Sequence, residues 1–192
     1  MEKALILAGP SAVGKTTVME KLKELCPKFC LVRSATTRPS RNDGFNDEYI
    51  YLSKEEFLSA AKVGNMLEYT EFGGNYYGTP ASELSRIIGE GRIPLLILDL
   101  NGVRSLKEKQ LGLRIVAVYI YEEDEVLDGR LYERMKNSGF TEQARVTYEK
   151  RKQMNREYCE SVKKCKTLFD FSLKNIEVET TAEDILCFFN SI

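Results

Sequence analysis

Gly9-Pro10-Ser11-Ala12-Val13-Gly14-Lys15-Thr16 is the stretch on which the fold turns. Lys3-Ala4-Leu5-Ile6-Leu7-Ala8 precedes it, an apolar run too uniform for a half-exposed strand and therefore read as a buried one. Lys15 to Leu25 follows it, with Val18, Met19, Leu22 and Leu25 at helical spacing. Strand, glycine turn and helix in that order predict the first half of a βαβ unit. The eight residues fit G-x-x-x-x-G-K-[ST], whose glycines let successive backbone N–H groups point inward around a polyphosphate. The N-terminal end of the next helix adds positive potential there. The expected ATP-binding set is Gly9, Ser11, Ala12, Val13, Gly14, Lys15, Thr16 and Thr17. Lys15 would reach the β and γ phosphates, and the Thr16 hydroxyl is the candidate Mg2+ ligand. The motif specifies a nucleoside triphosphate site and says nothing of what accepts the phosphoryl group.

Outward from the loop the character of the chain changes at Leu31 to Tyr77, where threonines, glycines and tyrosines dominate. Turn signals stand at Asn42-Asp43-Gly44 and Phe72-Gly73-Gly74-Asn75, and Ser53 to Glu56 reads as a capping box opening a helix through Ala61. This stretch is expected to be a small, mostly β lobe. Thr79-Pro80 offers an N-cap and a first-turn proline for a helix to Ile88. Strands are then expected at Pro94 to Leu100, Arg114 to Tyr121 and Leu168 to Leu173. Between and after them, helices are expected from Gly102 to Lys109, within Glu123 to Lys136, from Thr141 to Lys164, and from Ala182 to Phe189. The fold class expected is α/β: a P-loop NTPase fold with a parallel sheet core and two insertions, one a small β-rich lobe and the other helical. The segments divide as core at 1–33, β-rich lobe at 34–80, core at 81–125, helical insertion at 126–154 and core at 155–192.

Composition removes other classes. The 28 Lys and Arg nearly balance 29 Asp and Glu, leaving a formal charge of -1 where a non-specific nucleic-acid binder needs a basic field. No run approaches the roughly 20 apolar residues of a membrane helix. The opening apolar run is too short for a signal peptide, so the expected location is cytoplasmic. Cys26, Cys30, Cys159, Cys165 and Cys187 lack CxxC spacing and read as free thiols in a reducing compartment. The chain has no histidine, which rules out every imidazole-based mechanism.

Two further segments carry the acceptor side. Ser34-Ala35-Thr36-Thr37-Arg38-Pro39-Ser40-Arg41 leads to Asp47-Glu48-Tyr49-Ile50-Tyr51, and Glu68 precedes Gly74-Asn75-Tyr76-Tyr77-Gly78-Thr79. With the glycine loop these resemble the guanylate kinase family over nearly the whole chain. The family's S-x-T-T-R-x-x-R and G-N-Y-Y-G-T patterns are more specific than the loop itself. The resemblance implies that Ser34, Arg38, Arg41, Tyr49, Glu68, Tyr77, Thr79 and Asp99 bind GMP. Paired guanidinium groups suit a phosphate dianion. A carboxylate suits the adjacent N1–H and amino donors of guanine, which adenine lacks. Taken singly, Arg38 and Arg41 also read as surface charges, Tyr49 and Tyr77 as strand packing, and Thr79 as a helix cap.

The resemblance also implies lid arginines. Arg130 and Arg134 lie four apart and hence on one helix face, and Arg151 is the preferred third, with Arg145 as the alternative. Lys15, Arg130, Arg134 and Arg151 form the expected catalytic set. Asp170 and Asn175 echo the family's segment beside adenine. Where the family shows two acids in L-D-I-D-x-x-G, this chain has Ile97 and then Asp99. The expected function is transfer of the ATP γ-phosphoryl group to GMP or dGMP with Mg2+, by a monomer or homodimer that binds neither nucleic acid nor membrane. The alternatives are a non-catalytic guanylate-kinase-like binding module and a P-loop kinase with a different small acceptor.

Overall fold

The computed structural model describes residues 2–40, 49–72 and 74–192. Two compact units divide the chain, Met1–Ile6 with Cys26–Ile115, and Leu7–Leu25 with Val116–Ile192. Strand β1 (Lys3–Ala8) runs through both, with Ala4 to Ala8 fully buried, as its unbroken apolar run requires.

In the first unit β1 neighbours β7 (Ile93–Ile97), which pairs in parallel with β2 (Phe29–Leu31). A second sheet has the order β4-β3-β6-β5, with β3 at Ser34–Thr36, β4 at Tyr49–Tyr51, β5 at Met66–Phe72 and β6 at Asn75–Pro80. Alternation gives this sheet two unlike faces. Ala35, Ile50 and Tyr76 pack with Phe57 of helix α2 (Lys54–Lys62), whose ring stacks 5.5 Å from that of Tyr76. Gly78 lies on that same face; a Cβ there would come within 3.0 Å of Phe57 and 2.8 Å of the Glu68 carbonyl. The opposite face carries Ser34, Thr36, Tyr49, Tyr77 and Thr79, as the pairings Ser34 with Tyr49 and Thr36 with Tyr77 require. The capping box of α2 forms as read: Ser53 Oγ accepts from Glu56 N–H, and the Glu56 carboxylate accepts from Ser53 N–H at 2.8 Å.

In the second unit β1 neighbours β8 (Arg114–Tyr121), which pairs in parallel with β9 (Phe171–Lys174). Helix α1 (Lys15–Leu25) buries Val18, Met19 and Leu22 and packs on α7 (Val178–Ser191), which buries Ala182, Ile185 and Phe189. Each of these side chains larger than alanine contributes roughly 1.5–3 kcal/mol by leaving water. Helices α5 (Asp124–Asn137) and α6 (Glu142–Lys164) pack on each other, tied by Lys152 to Asp128 at 2.8 Å. The turn between them places Gly139 and Phe140 at positive φ, and Thr141 caps α6 by accepting from Ala144 N–H.

Element ends shift from the expected ones for local reasons. Thr79 belongs to β6 and Pro80, not Thr79, is the N-cap of α3 (Ala81–Gly89), with no side-chain cap bond. The run from Pro94 stops being a strand at Ile97, because Asp99 caps α4 (Leu100–Glu108) by accepting from Gly102 N–H. The last strand begins later, at Phe171, after a single tight helical turn at Lys166–Leu168. The sequence pattern gave no sign of the ion pairs of Glu83 on α3. The Arg33 Nε and Nη2 donate to the two Glu83 oxygens at 3.0 and 2.9 Å, and Arg86 adds a second guanidinium.

These guanidinium groups, Arg33 first, hold the Glu83 carboxyl down to about 2. A depressed carboxylate contributes stability that is present above its unfolded value and lost as pH falls through the folded one. Glu83→Gln is expected to cost about 1–3 kcal/mol at neutral pH, with the difference from wild type shrinking as pH falls from the ordinary carboxylate range toward 2. Urea unfolding midpoints across that range are the measurement, and a constant difference would dissociate Glu83 from acid sensitivity.

Candidate functional site

The glycine loop bends where its sequence allows. Gly14 takes a φ of +101°, and Ala12, a non-glycine residue, takes +66°. A Cβ on Gly9 would lie 2.3 Å from the Ile120 carbonyl, and one on Gly14 would lie 2.5 Å from Asn175 Nδ2. Both glycines of the motif are therefore fixed by close approach as well as by conformation.

A loop that turns its N–H groups inward turns its carbonyls outward, and buried carbonyls need donors. Every carbonyl from Gly9 to Gly14 has one. Lys15 Nζ donates to Gly9 and Pro10 at 2.8 and 2.9 Å. Asn155 Nδ2 donates to Ser11 at 3.0 Å, while Asn155 Oδ1 accepts the Ser11 N–H at 2.7 Å. Arg130 Nη1 donates to Ala12 and Val13, each at 3.3 Å. Asn175 Nδ2 donates to Val13 at 2.6 Å, and its Oδ1 accepts from the Thr181 hydroxyl. The Gly14 carbonyl takes Val18 N–H and starts α1. Burial, assisted by the nearby Arg134 guanidinium, pulls the Lys15 ammonium down to about 8.

Beside the loop is a cavity of about 570 Å³, lined by Ala12, Gly14 and Thr17 and by Arg130 and Arg134 of α5. Val126, Ile176 and Val178 give it apolar walls. Thr16 lies in the first turn of α1 with its hydroxyl engaged by no described residue. Arg151 precedes the loop-contacting Asn155 by four residues and so shares its face of α6. Arg145 is two further turns away on the same helix.

In the first unit the structure brings most of the acceptor candidates onto the polar face of the second sheet. Glu68 and Thr79 are cross-strand partners, and the buried Thr79 hydroxyl donates to Glu68 Oε1 at 2.6 Å. The other oxygen, Oε2, would be 3.2 Å from a Cβ on Gly102, so glycine keeps that side open. Burial raises the Glu68 carboxyl, opposed by the Thr79 hydrogen bond and assisted by the charge of Asp99. The Arg38 guanidinium sits over the Tyr49 ring at 5.1 Å, and Tyr49 and Tyr77 meet edge to face at 6.4 Å. Arg38 Nε is buried with no hydrogen-bond partner among the described residues. Ser34 is half-buried at the start of β3. Asp99 spends one oxygen on its helix cap, and Ile97 ends β7. Arg41 lies outside the described residues.

Asn155 escaped the sequence reading. An asparagine inside a helix is mildly unfavourable, which is its only signal, and it is shared with many surface positions. Asn175 stands in the segment the resemblance placed beside adenine; it lines the cavity, and its amide bonds the loop and Thr181.

Loop, sheet and helices define a P-loop α/β protein of the nucleotide kinase class. The guanylate kinase family model matches residues 1–191. A guanylate kinase of Prochlorococcus marinus subsp. pastoris is 33% identical over 188 residues, covering 97% of this chain and 96% of that protein. A guanylate kinase of Thermosynechococcus vestitus is 38% identical over 105 residues, which is 54% of this chain and about half, 55%, of that protein's length. The crystal structure of guanylate kinase from Anaplasma phagocytophilum superposes with a TM-score of 0.70 at 25% identity, covering 99% of this chain and 85% of that one. The chain belongs to the guanylate kinase family. Among the described residues no helix is long and apolar enough to cross a membrane.

Asn155→Leu keeps the volume but strands the Ser11 N–H and carbonyl, and is expected to cost about 2 kcal/mol or more. Denaturant midpoints measure it; a loss below about 0.5 kcal/mol, the range of ordinary surface substitutions, would show that the loop does not depend on this amide.

Proposed function

We propose that this chain transfers the γ-phosphoryl group of ATP to GMP, giving ADP and GDP. The observation that carries the reading is Glu68, a carboxylate set in a buried polar niche with Thr79 on one oxygen and the space beside Gly102 at the other. Guanine's N1–H and amino group form a donor pair that such a carboxylate accepts side by side. Adenine offers no such pair, and leaves the carboxylate unsatisfied. Donors arriving from guanine would also draw the Glu68 carboxyl back toward its ionised form. Arg38, Arg41, Tyr49 and Tyr77 hold the acceptor phosphate in this reading, with Ser34, Thr79 and Asp99 toward the base. The buried, unpartnered Arg38 Nε supports a ligand there.

On the donor side, Gly9, Ser11, Ala12, Val13, Gly14, Thr16 and Thr17 surround the triphosphate and Lys15 leaves its two carbonyls for the β and γ phosphates. Arg134 and Arg151 supply further charge, and Arg130 stands beside Arg134 against the loop. Thr16 would hold a Mg2+ ion that accompanies the nucleotide, and the ion would supply positive charge to offset that of the phosphates. The free Thr16 hydroxyl fits it, and no group of three or more acidic or thiol side chains among the described residues forms a metal cage of its own. The attacking phosphate oxygen is already anionic, so no protein base is required, and the chain's work is alignment and charge neutralisation. In this reading 34–80 is the acceptor lobe and 126–154 the lid, joined to core at 1–33, 81–125 and 155–192. The enzyme is cytoplasmic, a monomer or homodimer, and acts on small molecules alone.

A coupled ADP-release assay across GMP, dGMP, AMP, CMP and UMP tests the reading. GMP or dGMP is expected to lead, and Glu68→Gln is expected to raise KM for GMP by roughly 10–100-fold, as loss of a charged hydrogen-bond pair implies. KM for GMP is also expected to rise as pH falls through the raised pKa of Glu68, with that slope gone in the glutamine variant. No turnover with any acceptor would favour a binding module, and preference for another acceptor would favour a different kinase.

Lys15→Met is expected to lower kcat at least about a thousandfold with the melting transition retained. In wild type, kcat/KM for ATP should decline as pH rises through about 8, where the free protein's Lys15 gives up its charge. Near-normal turnover in Lys15→Met would remove the lysine from the mechanism.

A further inference from the structure

Arg130 does not stand the way a cation waiting for phosphate would. Its Nη1 is turned to the back of the loop, onto the Ala12 and Val13 carbonyls. Its Nη2 lies 3.9 Å from Glu122 Oε2. Glu122 follows β8 directly, and its side chain is only 5% exposed. The other Glu122 oxygen is 3.3 Å from Lys174 Nζ and accepts the Glu123 N–H at 2.9 Å. Lys174 is itself paired to Glu123 at 2.7 Å.

A buried carboxylate beside a phosphate site is costly twice over, in desolvation and in repulsion of the nucleotide. Direct contact with substrate cannot account for Glu122. Its two cations can: Lys174 neutralises one oxygen, and the other faces Arg130. With Nη1 on the carbonyls and Nη2 turned toward the Glu122 charge, the guanidinium is oriented to the back of the loop. Its targets include Ala12, the one loop residue that takes a left-handed conformation without being glycine. A left-handed alanine persists only where its surroundings hold it. Arg134, one turn along α5, is exposed and lines the cavity with Gly14 and Thr17.

We propose that Arg130 is a positioning residue, anchored by Glu122 to brace the Ala12-Val13 turn of the phosphate loop, and that contact between α5 and the phosphates falls to Arg134. The proposal rests on the donor site described above and assigns its two α5 arginines different work. Glu122 is thereby a second-rank partner of the reaction that the motif pattern does not contain.

The test separates nucleotide binding from turnover in the full chain. Calorimetric titration with Mg2+ and a non-hydrolysable ATP analogue gives Kd, and the ADP-release assay with GMP gives kcat. Glu122→Gln and Arg130→Ala are each expected to weaken the analogue about tenfold, with kcat at saturating ATP falling much less. The double variant is expected to be no worse than the weaker-binding single one, because both act through one contact. Arg134→Ala is expected to do the reverse, lowering kcat about a hundredfold with Kd moved less than about threefold. Melting curves are run on each, and Glu122→Gln with Arg130→Met, which removes both charges together, replaces Arg130→Ala if that variant unfolds. Losses from Glu122→Gln and Arg130→Ala that simply add, or a loss in Arg130→Ala confined to kcat, would overturn the proposal. Wild-type protein that binds the analogue but does not phosphorylate GMP would overturn the function proposed above, and the binding results would still decide this one.

Discussion

A polyphosphate site made from backbone N–H groups creates a second problem on its other side. The same turn leaves six carbonyls, Gly9 to Gly14, facing protein, and an unpaired buried carbonyl costs about as much as a lost hydrogen bond. The chain meets that demand with side chains that are far apart in sequence, namely Lys15, Arg130, Asn155 and Asn175, and with the first turn of α1. Helices α5 and α6 and the segment after β9 are therefore held at the loop by the loop's own requirements. Two of the donors, Asn155 and Asn175, are more than nine-tenths buried, and each uses both ends of its amide. Such groups tolerate no partial solution, which is why the loop can be shaped before any nucleotide arrives.

Half of this was legible from residues alone. The pattern from Lys3 to Leu25 announces itself because strand, glycine turn and helix are local, and each rests on a short-range preference. The capping box at Ser53 and the helix break at Ser138-Gly139 were readable for the same reason. The carbonyl donors were not. Asn155 is 144 residues from its partner Ser11, and nothing in a polar helix distinguishes the asparagine that finds a peptide from one that faces water. Element ends were misjudged where a side chain with two uses had to choose one. Thr79 reads as a cap before a proline, and spends its hydroxyl on Glu68 instead, leaving Pro80 to begin α3 without a side-chain acceptor. Asp99 reads as the last residue of a strand, and caps α4.

The second sheet shows how much a period of two can encode. Ala35, Ile50, Tyr76 and Gly78 belong to one face because Phe57 fills it, and Gly78 is glycine because the ring and the β5 backbone leave no room. Their alternates, Ser34, Tyr49, Tyr77 and Thr79, are thereby committed to the other face together. Register alone gathers them; a slip of one residue would bury the tyrosines' hydroxyls against Phe57 and expose Ala35. The aromatic packing of α2 is thus what aims the polar set, although none of its residues is polar enough to attract notice as a site.

Glu68 then occupies a narrow electrostatic range. Burial pushes its carboxyl up, Thr79 holds it down with a 2.6 Å bond, and Asp99 pushes it up again. A second acid at position 97, which the family pattern carries, would add like charge at the end of the same strand. The half-buried Ile97 adds none, and Asp99 has one oxygen committed to Gly102 N–H. The largest of these influences on Glu68 is burial, ahead of the Thr79 hydrogen bond and the charge of Asp99.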